Sequence, residues 1–301
     1  MPVLDGFDVL SAMNRDHSIE DIPVIMISSD DSKDIIRRAF ERGVSDYISR
    51  PFDARTVYRR AFNTIRLYAK QRRLVRMVSA QTRKQEHNTT MLVNVLSQIV
   101  EFRNGESGSH VRHIRILTEK IMAQLLRKTD KYSLSSEEQD NITLASVLHD
   151  IGKIAIDEKI LNKPGRLTPE EFAVLKTHTT EGAALLHRLE NFDTEPLLQT
   201  ACDIARWHHE RWDGRGYPDG LAGDDIPIGA QLVSLADVYD ALTSERCYKK
   251  AFPHEKAVQM ILGGECGTFN PLLLECLKDI EGSLQAELKK DYHSDPAELE
   301  V

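Results

Sequence analysis

Leu144-Ala-Ser-Val-Leu-His-Asp-Ile-Gly-Lys153 sets two polar residues, His149 and Asp150, directly after an apolar helical run and ahead of a glycine. Leu144, Val147 and Leu148 recur at the three- and four-residue steps of a helix face turned to a core. The His-Asp pair thus stands among core residues, where an imidazole or carboxylate costs free energy unless it is paired or metal-bound. The pattern repeats at Asp237, which follows Val233, Leu235 and Ala236 and precedes Asp240 by three residues.

Outward from that stretch, residues of metal-ligand type continue in order. Glu106 and His110 are four apart and share a face if helical. His178 comes next, then His208-His209-Glu210. Singly, each is more readily a cap, an ion-pair partner or a satisfied core residue. Five histidines with two or three carboxylates in sequence on rigid elements point instead to a metal centre.

The surrounding chain, residues 96–285, alternates helical periodicity with short Gly/Pro breaks and shows no alternating strand, so it reads as all-α. The charged tail 286–301 is expected to fray. Upstream, residues 53–103 contain no glycine and no proline. Tyr58, Phe62, Ile65, Leu74, Val78, Leu92, Val95 and Ile99 mark one or two long helices, with 53–95 as a helical linker. Between Arg50 and Lys84, eleven Lys/Arg face one acid, Asp53, which reads as a solvated basic face. Residues 1–52 read as α/β. Pro23–Ser28 and Asp46–Ser49 look like strands, and Asp31 to Arg42 like a helix stopped by Gly43, together one βαβ unit.

The whole is 301 residues, with 41% apolar and 29% charged residues, an ordinary composition for a soluble globular chain. A net charge of −8 argues against binding nucleic-acid polymers, so any phosphate must be held by local cations. Cys202, Cys247, Cys266 and Cys276 form no C-x-x-C pair. No signal-like segment and no long apolar run appear, and the expected location is the cytoplasm, with reduced thiols.

Order and flanking residues resemble the HD-GYP domain, a subgroup of the HD phosphohydrolases. The resemblance rests on Arg103-Asn-Gly-Glu106-Ser-Gly-Ser-His110, His149-Asp150-Ile-Gly-Lys153 and Leu161-Asn-Lys-Pro-Gly-Arg-Leu-Thr168. It continues through His178-Thr-Thr-Glu-Gly182, His208-His-Glu-Arg-Trp-Asp-Gly-Arg-Gly-Tyr-Pro218 and Asp237-Val-Tyr-Asp-Ala-Leu-Thr-Ser-Glu-Arg246-Cys-Tyr248. By resemblance, His110, His149, Asp150, His178, His208, His209 and Asp237 are metal ligands, Asp150 bridges two ions, and Glu106 serves a third where one is present. Two divalent ions are the minimum and three the maximum. Imidazole and carboxylate without thiolate suit iron or manganese first, with zinc, nickel or cobalt as other occupants.

The resemblance also implies a reaction. Two ions would activate water against a phosphodiester, with Asp150 and Lys153 as catalytic residues. Lys153, read as one helical turn after His149, would reach the substrate phosphate. Gly216, Tyr217, Pro218, Arg246 and Lys249 would hold a cyclic dinucleotide, Tyr217 by stacking on a base and Arg246 by its guanidinium fork. Asn104 and Cys247 depart from the family's frequent Asp and Pro. The expected activity is hydrolysis of cyclic di-GMP to pGpG, with a second step to GMP left open. The alternatives are hydrolysis of another 3′,5′-linked cyclic dinucleotide and a non-enzymatic, nucleotide-responsive signalling adaptor.

Residues 1–52 resemble the second half of a response-regulator receiver domain, through Met1-Pro-Val-Leu-Asp-Gly6, Ser28 and Asp46-Tyr-Ile-Ser-Arg-Pro51. The acceptor aspartate would precede Met1, so the segment reads as a partial, flavodoxin-like remnant with Val24, Met26 and Ile36 unusually exposed. A sensor kinase is the expected partner of a full-length form, and pairing through the linker helix implies a homodimer.

Overall fold

The computed structural model describes residues 5–104, 109–244 and 251–292. Two compact units divide it, Met1–His87 and Asn88–Val301.

In the first unit Asp5 opens helix α1 (Gly6–Arg15) by accepting the Phe7 and Asp8 N–H groups, and Asp8 reaches back to complete a capping box. A four-residue helix, α2 (Ser18–Asp21), leads into strand β1 (Ile25–Ser28). Helix α3 (Lys33–Glu41) follows, and Gly43, at φ +89°, turns the chain into strand β2 (Asp46–Ser49). The strands pair in parallel, Ile25 opposite Asp46 and Ser28 opposite Ser49, which is the βαβ unit read from the sequence. Leu10, Ile19, Ala39, Val44 and Tyr47 make the core. Val24, Met26 and Ile36 are half-buried against it, contrary to the exposure expected of them. The physical reason is α1, which the sequence reading missed and which adds Phe7, Leu10 and Met13 to the cluster. Exposure falls instead on Ile22, Ile27 and Phe40.

Helix α4 (Ala54–Arg103) is one uninterrupted element of 50 residues that crosses the unit boundary. Asp53 caps it, accepting the Thr56 N–H at 2.9 Å. Within the second unit, Val93, Ser97 and Val100 at helical spacing turn its last part to a core.

The rest of the second unit is helical: α5 (Ser109–Lys128), α6 (Ser136–Ala145), α7 (Glu158–Leu161), α8 (Pro169–Lys176) and α9 (His178–His187). After them come α10 (Pro196–Trp207), α11 (Ile228–Thr243), α12 (His254–Leu262) and α13 (Pro271–Tyr292). Ile114, Leu117 and Ile121 of α5 meet Leu232 and Leu235 of α11 and Leu273 and Leu277 of α13 in one apolar core. The only strand-like pairing among the described residues of this unit is an isolated bridge from Asp213 to Ala222. The all-α expectation holds.

Backbone meets backbone at one point that matters for everything downstream. Gly152, in the 3₁₀ turn Ile151–Ala155, lies so close to the first turn of α9 that a Cβ there would overlap the His178 carbonyl oxygen and the Gly182 nitrogen. Both neighbours are main chain and cannot swing away. Gly282 in α13, by contrast, has nothing near its missing Cβ. Thermal unfolding is expected to show Gly152→Ala destabilised by at least about 2 kcal/mol, several degrees in Tm. Gly282→Ala is expected to be stabilising by roughly 0.5–1 kcal/mol through helix propensity.

Candidate metal centre

Helix α6 begins with a Ser135/Glu138 capping box and delivers a 3₁₀ turn, Ser146–Leu148, whose Val147 and Leu148 are buried. The helix then ends at His149 and Asp150 rather than continuing, since a second 3₁₀ turn starts at Ile151. Lys153 therefore does not project along a helix face as expected. Its ammonium sits 2.6 Å from Asp150 Oδ2, an ion pair within the loop.

Around Asp150 the imidazoles converge. His178 Nε2 is 3.3 Å and His208 Nε2 3.9 Å from its Oδ1, while His149 Nε2 is 3.3 Å from its Oδ2. His110 Nε2 stands 3.8 Å from Asp237 Oδ1. Two sets of candidate ligands result, His110/His149/Asp150 and His178/His208/His209, each with its donor atoms within 4.8 Å of one another. Of the expected ligands, these six and Asp237 are brought together. Glu106, Arg246 and Lys249 lie outside the described residues.

Second partners orient the rings. His149 Nδ1–H donates to the Ser146 carbonyl at 2.9 Å, His178 Nδ1–H to Leu175 at 2.7 Å, and His208 Nδ1–H to Ile204 at 3.0 Å. Each carbonyl can only accept, so each ring carries its proton on Nδ1 and turns a bare Nε2 inward. The Nε2 atoms of His178 and His208 then face each other at 3.4 Å, two lone pairs with no proton between them. A cation shared by both removes that repulsion, at a separation that two nitrogens on one ion can adopt. His149 Nε2 and Asp150 Oδ1 are buried, and neither has a hydrogen-bond partner among the described residues. Buried polar atoms left this way imply a missing partner. The donor set fits a divalent metal.

The protonation states of His178, His208 and His209 agree with that fit. Burial holds the His208 pKa well below the usual imidazole range, lowers that of His178, and pushes that of His209 down to about 4. Neutral imidazole is the ligating form. Burial disfavours charge on Asp150, yet Lys153, His149 and His178 around it outweigh this and keep its carboxyl well below its ordinary pKa. Burial likewise disfavours His149⁺, but Asp150 and Asp237 lift its pKa.

The loop 210–220 is pinned to the end of α10. Glu210 Oε1 accepts the Asp219 and Gly220 N–H groups at 2.7 and 2.9 Å. Asp219 takes a bidentate Arg206 fork at 2.7 and 2.8 Å and the Trp207 indole N–H at 2.7 Å. Gly216 lies against the Glu210 and Arg211 backbone with no room for a Cβ. Tyr217 packs on the His209 ring, centroids 4.8 Å apart, so one of its faces is taken by a histidine. Burial, then the charges of Asp150 and Asp237, raise its hydroxyl pKa and keep it protonated.

Two residues in the centre were missed. Asp240, 1% exposed, accepts Nδ1–H from both His110 and His113 at 2.6 Å. Asp240 was visible as an acid three residues after Asp237 on a buried run. His113, three after His110, carried the matching signal.

Comparison with known proteins is consistent with this architecture. The HD domain family matches residues 94–266, and the response regulator receiver domain family matches residues 1–62. A protein of Vibrio cholerae named "Probable cyclic di-GMP phosphodiesterase" is 35% identical over 286 residues, 91% of this chain and 65% of that relative's own length. The "Cyclic di-GMP phosphodiesterase response regulator RpfG" of Xanthomonas campestris is 34% identical over 295 residues, covering 95% of this chain and 74% of the relative. A "3′3′-cGAMP-specific phosphodiesterase 2" of Vibrio cholerae is 40% identical over 186 residues, 62% of this chain and 34% of the relative. With its His/Asp cluster carried on the matched segment, the chain belongs to the HD domain family, in the HD-GYP type that follows a response-regulator receiver segment.

Proposed function

We propose that this chain is a phosphodiesterase that opens cyclic di-GMP to pGpG, using two divalent ions held by residues of segment 96–285. The observation that carries the reading is the meeting of two histidine sets at one ionised carboxylate, Asp150. Iron or manganese is the first choice of metal, because the ligands are nitrogen and oxygen without sulfur. His110, His149 and Asp237 would hold one ion, His178, His208 and His209 the other, with Asp150 between them and Glu106 available to a third. The ions, when bound, supply Lewis acidity and an activated water.

The chain's own residues do the remaining work. Lys153 is placed to share its ammonium between Asp150 and a phosphate oxygen. Tyr217 keeps its proton and offers a donor beside the ligands while its ring, braced by His209, borders the nucleotide. Gly216 and Pro218 shape that loop, and Arg246 and Lys249 are proposed to take the second phosphate and a base edge. The 40% identity to the cGAMP-specific relative favours one further reading, a mixed guanine–adenine cyclic dinucleotide as the substrate.

No helix among the described residues is long and apolar enough to cross a membrane. Along α4, Leu92, Val95, Ile99 and Phe102 are exposed at three- and four-residue steps, as are Tyr58, Phe62 and Ile65. We assign this stripe to a homodimer formed by two α4 helices. A sensor kinase is the proposed upstream partner of a full-length form.

Metal analysis is expected to find at least two ions per chain. Asp150→Ala should lose both ions and lower kcat/KM by more than the roughly 10- to 100-fold typical of an outer-shell change. Chromatography of products from a panel of cyclic dinucleotides decides the substrate; a fully active, metal-free protein would sink the assignment. Tyr217→Ala and Arg246→Ala are expected to keep their metal and to raise KM several-fold with little change in kcat. Unchanged constants in both would displace the substrate from this loop. Sedimentation at micromolar concentration is expected to give a dimer, and a Leu92→Glu/Ile99→Glu double variant a monomer.

A further inference from the structure

Helices α5 and α11 face each other with two matched pairs at i, i+3 spacing: His110 and His113 on one, Asp237 and Asp240 on the other. The inner pair, His110 and Asp237, turns to the metal centre. The outer pair does something the metal ligands do not do for themselves. Asp240 is buried and spends Oδ2 on His110 Nδ1–H at 2.6 Å. Its Oδ1 takes His113 Nδ1–H at 2.6 Å and the Ser244 hydroxyl at 2.8 Å. Three other inward-facing rings, His149, His178 and His208, donate from Nδ1 to main-chain carbonyls, which the helices fix. His110 instead donates to a side chain that has its own rotamers. Something must hold that side chain.

We infer that His113 is a positioning residue for metal binding: by donating to Asp240 it fixes the carboxylate that orients His110, so that His110 Nε2 points into the centre. Among the described residues, the hydrogen-bond partner of the His113 ring is Asp240, and the ring is 13% exposed. Without that donor, Asp240 keeps only Ser244 on Oδ1 and can rotate. His110 then presents its nitrogen over a wider range of directions, and the ion shared with His149 and Asp150 is held less tightly. The set formed by His178, His208 and His209 has separate supports and is unaffected. This inference rests on the metal-binding reading above.

Asparagine places its amide nitrogen where a histidine has Nδ1, so His113→Asn keeps the donor while His113→Leu removes it at similar bulk. The test is cobalt(II) titration of the whole 301-residue chain, stripped of metal and followed by visible absorption, with cooperative thermal unfolding checked for each variant. The expected result is that His113→Leu weakens one of the two cobalt-binding steps by about tenfold, within the 10- to 100-fold range of outer-shell partners. The other step stays unchanged, and His113→Asn binds both ions within about threefold of wild type. Normal binding of both ions by His113→Leu overturns the inference, as does equal weakening in Leu and Asn. Should the leucine variant not fold, Asp240→Asn is the second probe; it is expected to lose the same single step, and wild-type binding by it overturns the inference. A wild type that takes up no cobalt fails differently, since it removes the metal reading itself.

Discussion

The whole centre depends on keeping one carboxylate ionised inside a helical core. Asp150 has little solvent around it, and burial by itself would protonate it. Lys153 at 2.6 Å does most to reverse that balance. Yet the reversal is incomplete, because Oδ1 still has no hydrogen bond and the rings beside it present lone pairs. An apoprotein organised this way carries unresolved electrostatic free energy at its centre. Divalent cations relieve it, so metal affinity and fold stability draw on the same arrangement.

That arrangement asks the fold for two things, close approach and fixed ring orientation. Close approach comes from Gly152, where the turn after Asp150 rests on the backbone of α9 and brings His178 within reach. Fixed orientation comes from helix ends. His149 and His208 use carbonyls three or four residues back, groups that a terminating helix leaves available, and His178 uses Leu175 just before α9. His149 and His208 therefore sit where helices stop, and His178 where one starts. Interrupted helices are the device that turns a core position into a coordinating one.

This explains which parts were legible in the sequence. The candidate ligands were, in that polar residues set in apolar runs betray themselves, and so were the β1–α3–β2 unit and the long α4. Less legible were contacts whose partners lie far apart in the chain. His113 finds Asp240 across 127 residues, and the Asp219 clamp joins Arg206, Trp207 and Glu210 through a turn that spacing does not reveal. Lys153 was misplaced because helical periodicity was carried through His149, where the backbone instead changes to 3₁₀ geometry. Helix α1 escaped for a local reason. Its signal is a capping box at Asp5 and Asp8, and the sequence around it was read only through its likeness to a receiver domain.

On the proposed reading, a chain of net charge −8 must still attract a dianionic ligand, and the clamp shows how the problem is made local. Both Asp219 oxygens and Glu210 Oε1 are engaged, by Arg206, Trp207 and the loop's own N–H groups. Their charge is consumed in holding Tyr217 against His209. Because His208 and His209 end the same helix that anchors the clamp, metal ligands and nucleotide loop are parts of one rigid piece. A displacement of α10 would shift both together and preserve their spacing. The opposite wall, α5 and α11, differs in one respect: there His110 depends on a side chain rather than on main chain for its orientation, so a single substitution at Asp240 or its partners can reach the centre.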